Sequence, residues 1–178
     1  MAVLSILQYP DLRLRRKGYL VNNVQETKIQ KTIEEMMATL LNNQNCAGLA
    51  ATQLDLEEPP NIMVINQHHA ESPSILCLLN TQILTKEGTT LEDEGCMSVY
   101  PQAISAKVTR AAAIKVKAVD QHGNQIEFEA KDFLARCIQH EYDHLQGILY
   151  IDHLPKLKRY RIDRKITKLL KVKKELHH

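Results

Sequence analysis

Long apolar runs are missing from this chain of 178 residues. No stretch of about 18 apolar residues occurs, so no transmembrane helix is expected. The N-terminal "MAVLSILQYPDLRLRRKG" lacks a basic start, a long apolar stretch and a small-residue cleavage site, which argues against a secretory signal. It carries three Arg and a Lys, but also Asp11 and a single Ser, a poor match to a transit peptide. A mature cytoplasmic protein is the expectation. There are four cysteines, Cys46, Cys77, Cys96 and Cys137, and no C-x-x-C pair. In a cytosolic setting that argues against disulfides and leaves core residues, metal ligands or reactive thiols. Internal repeats and low-complexity linkers are also missing.

What is present is the composition of one globular domain with a sizeable core. Charge is unevenly placed. From Lys156 onwards there are ten Lys/Arg and two acids, a net of +8, while the whole chain is +2. Residues 1–155 therefore sum to −6, and an acidic body carries a basic tail. That tail has no aromatic platform for stacking nucleic-acid bases, since Tyr160 stands alone in it. The final His177-His178 is given no role.

Thr27-x-x-Gln30 reads as a capping box. Ile29, Ile33, Met36, Met37 and Leu40 follow at helical spacing, predicting an amphipathic helix over 28–42. "IMVIN" (62–66) and "SILCLLNTQIL" (74–84) are short, apolar and partly β-branched, as strands are. "AIKVKAVD" (113–120) and "QIEFEA" (125–130) alternate around "QHGN", a hairpin with Ile114, Val116, Ala118, Ile126 and Phe128 inside. "KDFLARCIQHEYDHLQG" (131–147) reads as a helix with Asp132 near its start and Gly147 past its end. After Leu154-Pro155, residues 156–176 predict a second long helix with the stripe Ile162, Ile166, Leu169 and Leu176. The order of elements gives an α+β class in one domain.

One short pattern stands out in "CIQHEYDHLQG" (137–147): His140-Glu141-x-x-His144. Helix residues four apart share a face, with side-chain roots ~6 Å apart. Both imidazoles can then point at one divalent ion, with Glu141 one position round, placed to contact a water. A catalytic site of this kind has three protein ligands, so a third is required. One large peptidase class continues H-E-x-x-H-x-x-G-x-x-H. Here Gly147 fits, but Tyr150 stands where the last His belongs. A downstream Glu is missing too, because none lies between Glu141 and Glu175. Asp163 and His153 remain as downstream candidates. The stronger candidate is upstream, Cys96 in "DEGCMSVYP", since a thiolate suits zinc or iron and metal binding deprotonates it at neutral pH. Gly95 beside it would let the backbone come close.

Three segments in order, "GLAATQ" (48–53), "EGCMS" (94–98) and "QHEYDHLQG" (139–147), resemble the three motifs of the peptide deformylases. The similarity runs from "ILQYPDLRLR" to the basic C-terminal segment, nearly the whole chain. The resemblance implies an α+β fold of antiparallel sheets around a central H-E-x-x-H helix, with a C-terminal basic amphipathic helix. It implies a metal-dependent hydrolase that removes the N-formyl group from formyl-methionine of nascent polypeptides, releasing formate. By motif match, Cys96, His140 and His144 are the metal ligands and Glu141 the general acid/base. Gln53 and the backbone N–H of Met97 match the oxyanion-stabilising groups. The ion implied is Fe(II), with Zn(II) or Ni(II) also able to bind. These roles are coherent physically: a formamide is a poor electrophile and water a poor nucleophile, and a divalent ion offsets both. A donor such as Gln53 contributes on the order of 3 kcal/mol to the barrier. The small residues of "AGLAA" (47–51) suit close approach of an extended peptide, added like a strand. Ala47, Gly48, Cys137 and the Met97 region are the expected substrate-binding residues. Cys46 and Cys77 are expected to be core residues only.

Two departures from the family pattern bear on peptide preference. The first motif usually begins Gly-x-Gly, and here it reads Cys46-Ala47-Gly48, a Cβ that can alter the backbone or the pocket rim where the Gly allowed freedom. After the second motif the family often has Ile/Val-Pro and a peptide-binding Arg. This chain reads "SVYPQAISAK", with an insertion around Tyr100 and no Arg before Arg110. A specialised copy with altered peptide preference is therefore one expectation. A zinc peptidase with a different third ligand is the alternative. The resemblance also gives the basic tail a use, since in bacterial members the C-terminal helix docks on the ribosome, a contact that salt would weaken. The expected layout is a catalytic domain over 1–155 and a basic helix over 156–178, packed on it or extending from it. Nascent formyl-methionyl peptides and the ribosome are the expected partners. No membrane or DNA partner is expected, and the chain is expected to act as a monomer.

Overall fold

A computed structural model describes residues 2–43, 45–69 and 72–175. The elements are α1 (Thr27–Asn42), β1 (Gly48–Ala50), β2 (Ile62–His69), β3 (Ser72–Glu87), β4 (Thr90–Glu94), β5 (Ala106–Arg110), β6 (Ala113–Val119), β7 (Gln125–Lys131), α2 (Asp132–Leu145) and α3 (Lys156–Glu175). The class is α+β, with antiparallel sheets as the motifs implied.

Five strands form one sheet in the order β1-β2-β3-β6-β7. β2 is apolar at four consecutive positions because both of its faces are covered. Side chains of a strand alternate faces. Ile62 and Val64 meet the cluster that contains Ile29, Ile33, Met36 and Leu40 of α1. Met63 and Ile65 meet the cluster that contains Ala135, Ile138 and Leu145 of α2. The sheet is thus sandwiched between α1 and α2. The β6–β7 hairpin pairs from Ala113↔Lys131 to Val119↔Gln125, with Ile114, Val116 and Ala118 buried and Ile126 and Phe128 packed beside them.

The capping box expected from Thr27 and Gln30 does not form. Glu26 is the N-cap and makes no side-chain cap bond. Gln30 instead donates to the carbonyls of Val24 (2.8 Å) and Gln121 (3.0 Å), pinning the helix start to the hairpin turn.

β4 and β5 form a separate two-stranded sheet, paired from Thr90↔Arg110 to Glu94↔Ala106. Its apolar support is a third cluster in which Val108 of β5 meets Val99, Ile104, Leu149, Tyr150, Ile151 and Ile166. α3 packs there through Ile162, Ile166 and Leu170. This seam corrects the expected stripe: Leu170 takes the place given to Leu169, which is half-buried. Leu176 and the His177-His178 pair lie outside the described residues. Tyr9 donates its hydroxyl to Asp163 (2.9 Å) and Arg159 pairs with Asp152 (2.8 Å), so polar contacts also hold the helix down. Among the described residues, no helix is long and apolar enough to cross a membrane.

Candidate active site

α2 places His140 and His144 one turn apart, with their Nε2 atoms 3.2 Å from each other. Cys96, two residues past β4, brings its Sγ to 3.2 Å from His144 Nε2. The three donor atoms all lie within 4.8 Å of one another. Cys96 and His144 are buried, and the His140 side chain is 11 % exposed. One sulfur and two imidazole nitrogens converging in a buried spot make a donor set for a single transition-metal ion. Three electron-rich atoms this close repel one another unless a proton or a cation lies between them, so the residues fit a metal.

The downstream candidates are not part of this group. Asp163 accepts from Tyr9, and His153 pairs through Nε2 with Asp143 at 2.7 Å. Tyr150, at the place where one peptidase class has its third His, is buried and stacks on His140, with ring centroids 6.1 Å apart and planes at 25°.

The two imidazoles are driven in opposite directions. Burial would push His140 down, but hydrogen bonding to Cys96 and to the Glu94 carboxylate holds it well above the ordinary range. His144 is held well below it, by burial and then by the charge of His140. His140 Nδ1 lies 3.0 Å from Glu94 Oε2, which fixes the ring and leaves Nε2 for the donor cluster. Glu94 itself is held far below the usual carboxylate range: burial opposes its charge, but His140 and Arg110 outweigh that cost.

Glu141 is 4 % exposed, and its Oε2 is buried with no hydrogen-bond partner. Burial pushes its pKa up to about 7, opposed by the charge of His140 and supported by that of Glu94. Its carboxylate lies against Gly48, where an added Cβ would sit 2.8 Å from Oε1. A Cβ there would force the Glu141 side chain to shift.

Gln53 is buried beside the donor cluster. Its Oε1 accepts from the backbone N–H of Ala50 at 2.8 Å. That bond turns Nε2 towards Ser98 Oγ (3.2 Å) and Cys96 Sγ (3.5 Å). Met97 is partly buried, and its carbonyl accepts from Gln8 Nε2 at 2.7 Å.

A cavity of about 330 Å³ opens on this group. Ala47, Gly48, Gln53, Cys96, Met97, Cys137, His140 and Glu141, all singled out in the sequence, line it. Sequence reasoning missed Phe133, Arg136 and Glu94. Phe133 and Arg136 lie four and one positions before Cys137 on the same helix, the only sequence signal that could have found them. Cys46 lines the cavity too, against the expectation of a core role only, although it also packs in the α1 cluster. Burial pushes the Cys46, Cys77 and Cys137 thiols up to about 12, so they stay protonated.

The model of the polypeptide deformylase family matches residues 3–160. The chain belongs to the polypeptide deformylase family. It is 49 % identical over 166 residues to peptide deformylase 1 of Coxiella burnetii, covering 93 % of this chain and 95 % of that one. To the peptide deformylase of Pseudoalteromonas translucida it is 41 % identical over 168 residues, covering 94 % and 96 %. The crystal structure of a peptide deformylase from Legionella pneumophila superposes with a TM-score of 0.85 at 32 % identity, covering 97 % of this chain and 98 % of that one. A deformylase from Ehrlichia chaffeensis, solved with actinonin, gives 0.84 at 33 %, covering 94 % and 98 %.

The departures from the deformylase motifs now have positions. The left-handed backbone at the first motif is at Asn45 (φ 71°), so Cys46 does not occupy a place that demands glycine. Its Sγ donates to the Gly48 carbonyl at 3.1 Å. A Cβ at Gly95 would meet no protein atom nearer than 4.0 Å. Tyr100 adopts φ 47° and its carbonyl accepts from Ala103 and Ile104, both at 2.9 Å, closing a tight turn that presents Pro101 to the cavity. Arg110 is turned inwards, bonding Glu94 (2.9 and 3.0 Å) and Asp143 (2.5 Å). It cannot serve as a peptide-binding Arg at the rim.

Proposed function

We propose that this chain hydrolyses the N-terminal formyl group of nascent formyl-methionyl polypeptides, releasing formate. The observation that carries the reading is the meeting of Cys96, His140 and His144 beside a buried Glu141 with an orphaned carboxylate oxygen. In that reading Cys96, His140 and His144 hold one divalent ion, which supplies a Lewis acid for the formyl carbonyl and for water. Fe(II) is the ion proposed in the cell, with Zn(II) and Ni(II) as substitutes, since the donor set accepts all three.

The rest of the chemistry belongs to side chains of this chain. Glu141 Oε2 takes a proton from the attacking water and returns it to the departing amine. A carboxyl group with a pKa near 7 suits both transfers. Gln53 Nε2 and the Met97 N–H donate to the oxygen that gains charge. Gln53 enters with its amide already oriented by Ala50, so little reorganisation remains. The Ala47–Gly48 backbone, at the open edge of the five-stranded sheet, pairs with an extended peptide. Cys137, Phe133 and Pro101 supply apolar wall for a methionine side chain. With Arg110 turned inwards and Cys46 and Pro101 at the rim, peptide preference beyond methionine differs from that of members with a rim Arg.

The catalytic domain spans 1–155 in this reading, and α3 offers a basic outer face to the ribosome near the emerging chain. The protein acts as a monomer in the cytoplasm. The test is anaerobic assay of formate release from formyl-Met-Ala-Ser with Fe(II), Ni(II) and Zn(II) in parallel. Release with at least one ion, tracking bound metal, is expected. No formate from any metal-loaded form overturns the proposal.

A further inference from the structure

The three donor side chains come from two bodies that no strand ladder joins. Cys96 follows β4 of the two-stranded sheet, while His140 and His144 ride on α2, which packs on the other sheet. What crosses the gap is a buried polar lattice centred on Glu94. Its carboxylate accepts from Arg110 Nε (2.9 Å) and Nη2 (3.0 Å), from Arg136 Nη1 (2.7 Å), and faces His140 Nδ1.

Arg136 has the unusual position in this lattice. It lies one turn before His140 on α2 and is only 6 % exposed. Besides Glu94, its Nη1 reaches the Val108 carbonyl of β5 (3.1 Å), and its Nη2 reaches Thr90 Oγ1 (2.7 Å) and the Thr90 carbonyl (3.3 Å) of β4. One planar fork therefore holds both strands of the small sheet from the helix that carries the imidazoles. Both terminal nitrogens are engaged by protein acceptors, and Nε faces Glu92 at 3.7 Å, so the guanidinium is not free to bind a substrate anion. A buried ion pair contributes little net stability against an apolar replacement.

We propose that Arg136 is a positioning residue for the metal centre: it sets the distance and angle between Cys96 and the His140–His144 pair by clamping α2 to β4 and β5. The inference rests on the ligand set proposed above. A lysine cannot replace it fully, since one ammonium cannot span Glu94, Thr90 and Val108 with the fixed geometry of the guanidinium.

The test uses the full chain loaded with Co(II), reading the dissociation constant by chelator competition and the thiolate-to-metal absorption band. Arg136→Met should weaken Co(II) binding about 10- to 100-fold, the range for loss of an outer-shell partner, and shift the band. Arg136→Lys should recover part of the affinity, and Thr90→Val should give a smaller loss in the same direction. A general loss of fold stability would not move the band of the folded, metal-bound protein. If Arg136→Met does not fold, Arg136→Lys and Thr90→Val decide by the same two readouts. Cys96→Ser serves as the control. If the wild type has no Cys96-dependent band, the ligand set and this proposal both fall. If the band is present and the folded Arg136 and Thr90 variants keep its position and the wild-type affinity, the positioning role alone falls.

Discussion

Replacing Gly48 with alanine tests how tightly Glu141 is held. A Cβ at position 48 would lie 2.8 Å from Glu141 Oε1, 2.9 Å from Cγ and 3.1 Å from Cδ. Ordinary contact begins at 3.4 Å, so the carboxylate must retreat by about 0.6 Å (3.4 − 2.8). Glu141 is 4 % exposed, and the free space beside it is the cavity it lines, so a retreat moves the carboxylate away from its place beside the donor cluster. General acid–base catalysis contributes about 10²- to 10⁴-fold, and a 1 Å misplacement costs about 10²-fold. Gly48→Ala should therefore lower kcat about 10- to 100-fold, with metal affinity nearly unchanged. The overpacking should cost about 1–3 kcal/mol, a fall of several degrees in Tm. The assay is steady-state formate release from formyl-Met-Ala-Ser alongside metal analysis and thermal unfolding. Glu141→Asp shortens the side chain and relieves the clash, so the double variant should lose less than the product of the single losses. A Gly48→Ala enzyme with wild-type kcat would refute the claim that Gly48 exists to seat Glu141.

Other outcomes follow from the same structure. Cys96→Asp or Cys96→Ser should change the absorption of the bound metal, and an unaffected spectrum would remove Cys96 from the ligand set. Asp152 is held below the usual carboxylate range, since the Arg15 guanidinium and the Leu149 N–H outweigh its burial. Its contribution is complete above the ordinary value of 3.8 and disappears as pH falls through its lower folded value. Asp152→Asn should lower Tm at pH 7 by about 3–6 °C, with the gap to the wild type closing in acid; a gap independent of pH contradicts this. Neutralising the exposed Lys158, Arg161 and Lys168 of α3 should weaken ribosome binding and flatten its salt dependence, while formate release from a tripeptide stays unchanged. Equal binding by this variant at all salt concentrations would separate α3 from ribosome docking.

What could be read in the sequence was what depends on local pattern. The β6–β7 hairpin alternates because one face is buried, and α1 repeats its apolar residues every three or four positions for the same reason. The sheet of β4 and β5 was not legible. Leu91, Glu92 and Asp93 are exposed, and the sheet owes its place to Val108 and to a polar lattice rather than to an apolar face. The capping box failed because Thr27 already lies inside the helix and Gln30 found carbonyls in Val24 and in Gln121, far away along the chain. At the site, His140, Glu141 and His144 were visible because one helical turn brings them together. Cys96 could be singled out by its chemistry. Glu94, Arg110 and Arg136 could not, because their roles arise only when a strand 16 residues away and a helix 42 residues away meet the carboxylate. The close contact at position 48 was equally hidden, since it is made by a side chain from α2.

The central claim is that Glu141 carries the proton at a centre held by Cys96, His140 and His144. The most direct measurement is formate release by wild type and Glu141→Ala, both loaded anaerobically with Fe(II) and assayed for bound metal. The account predicts release by the wild type and a loss of at least about 10²-fold in the variant, with the metal still bound. A metal-loaded Glu141→Ala protein that releases formate at the wild-type rate would contradict it.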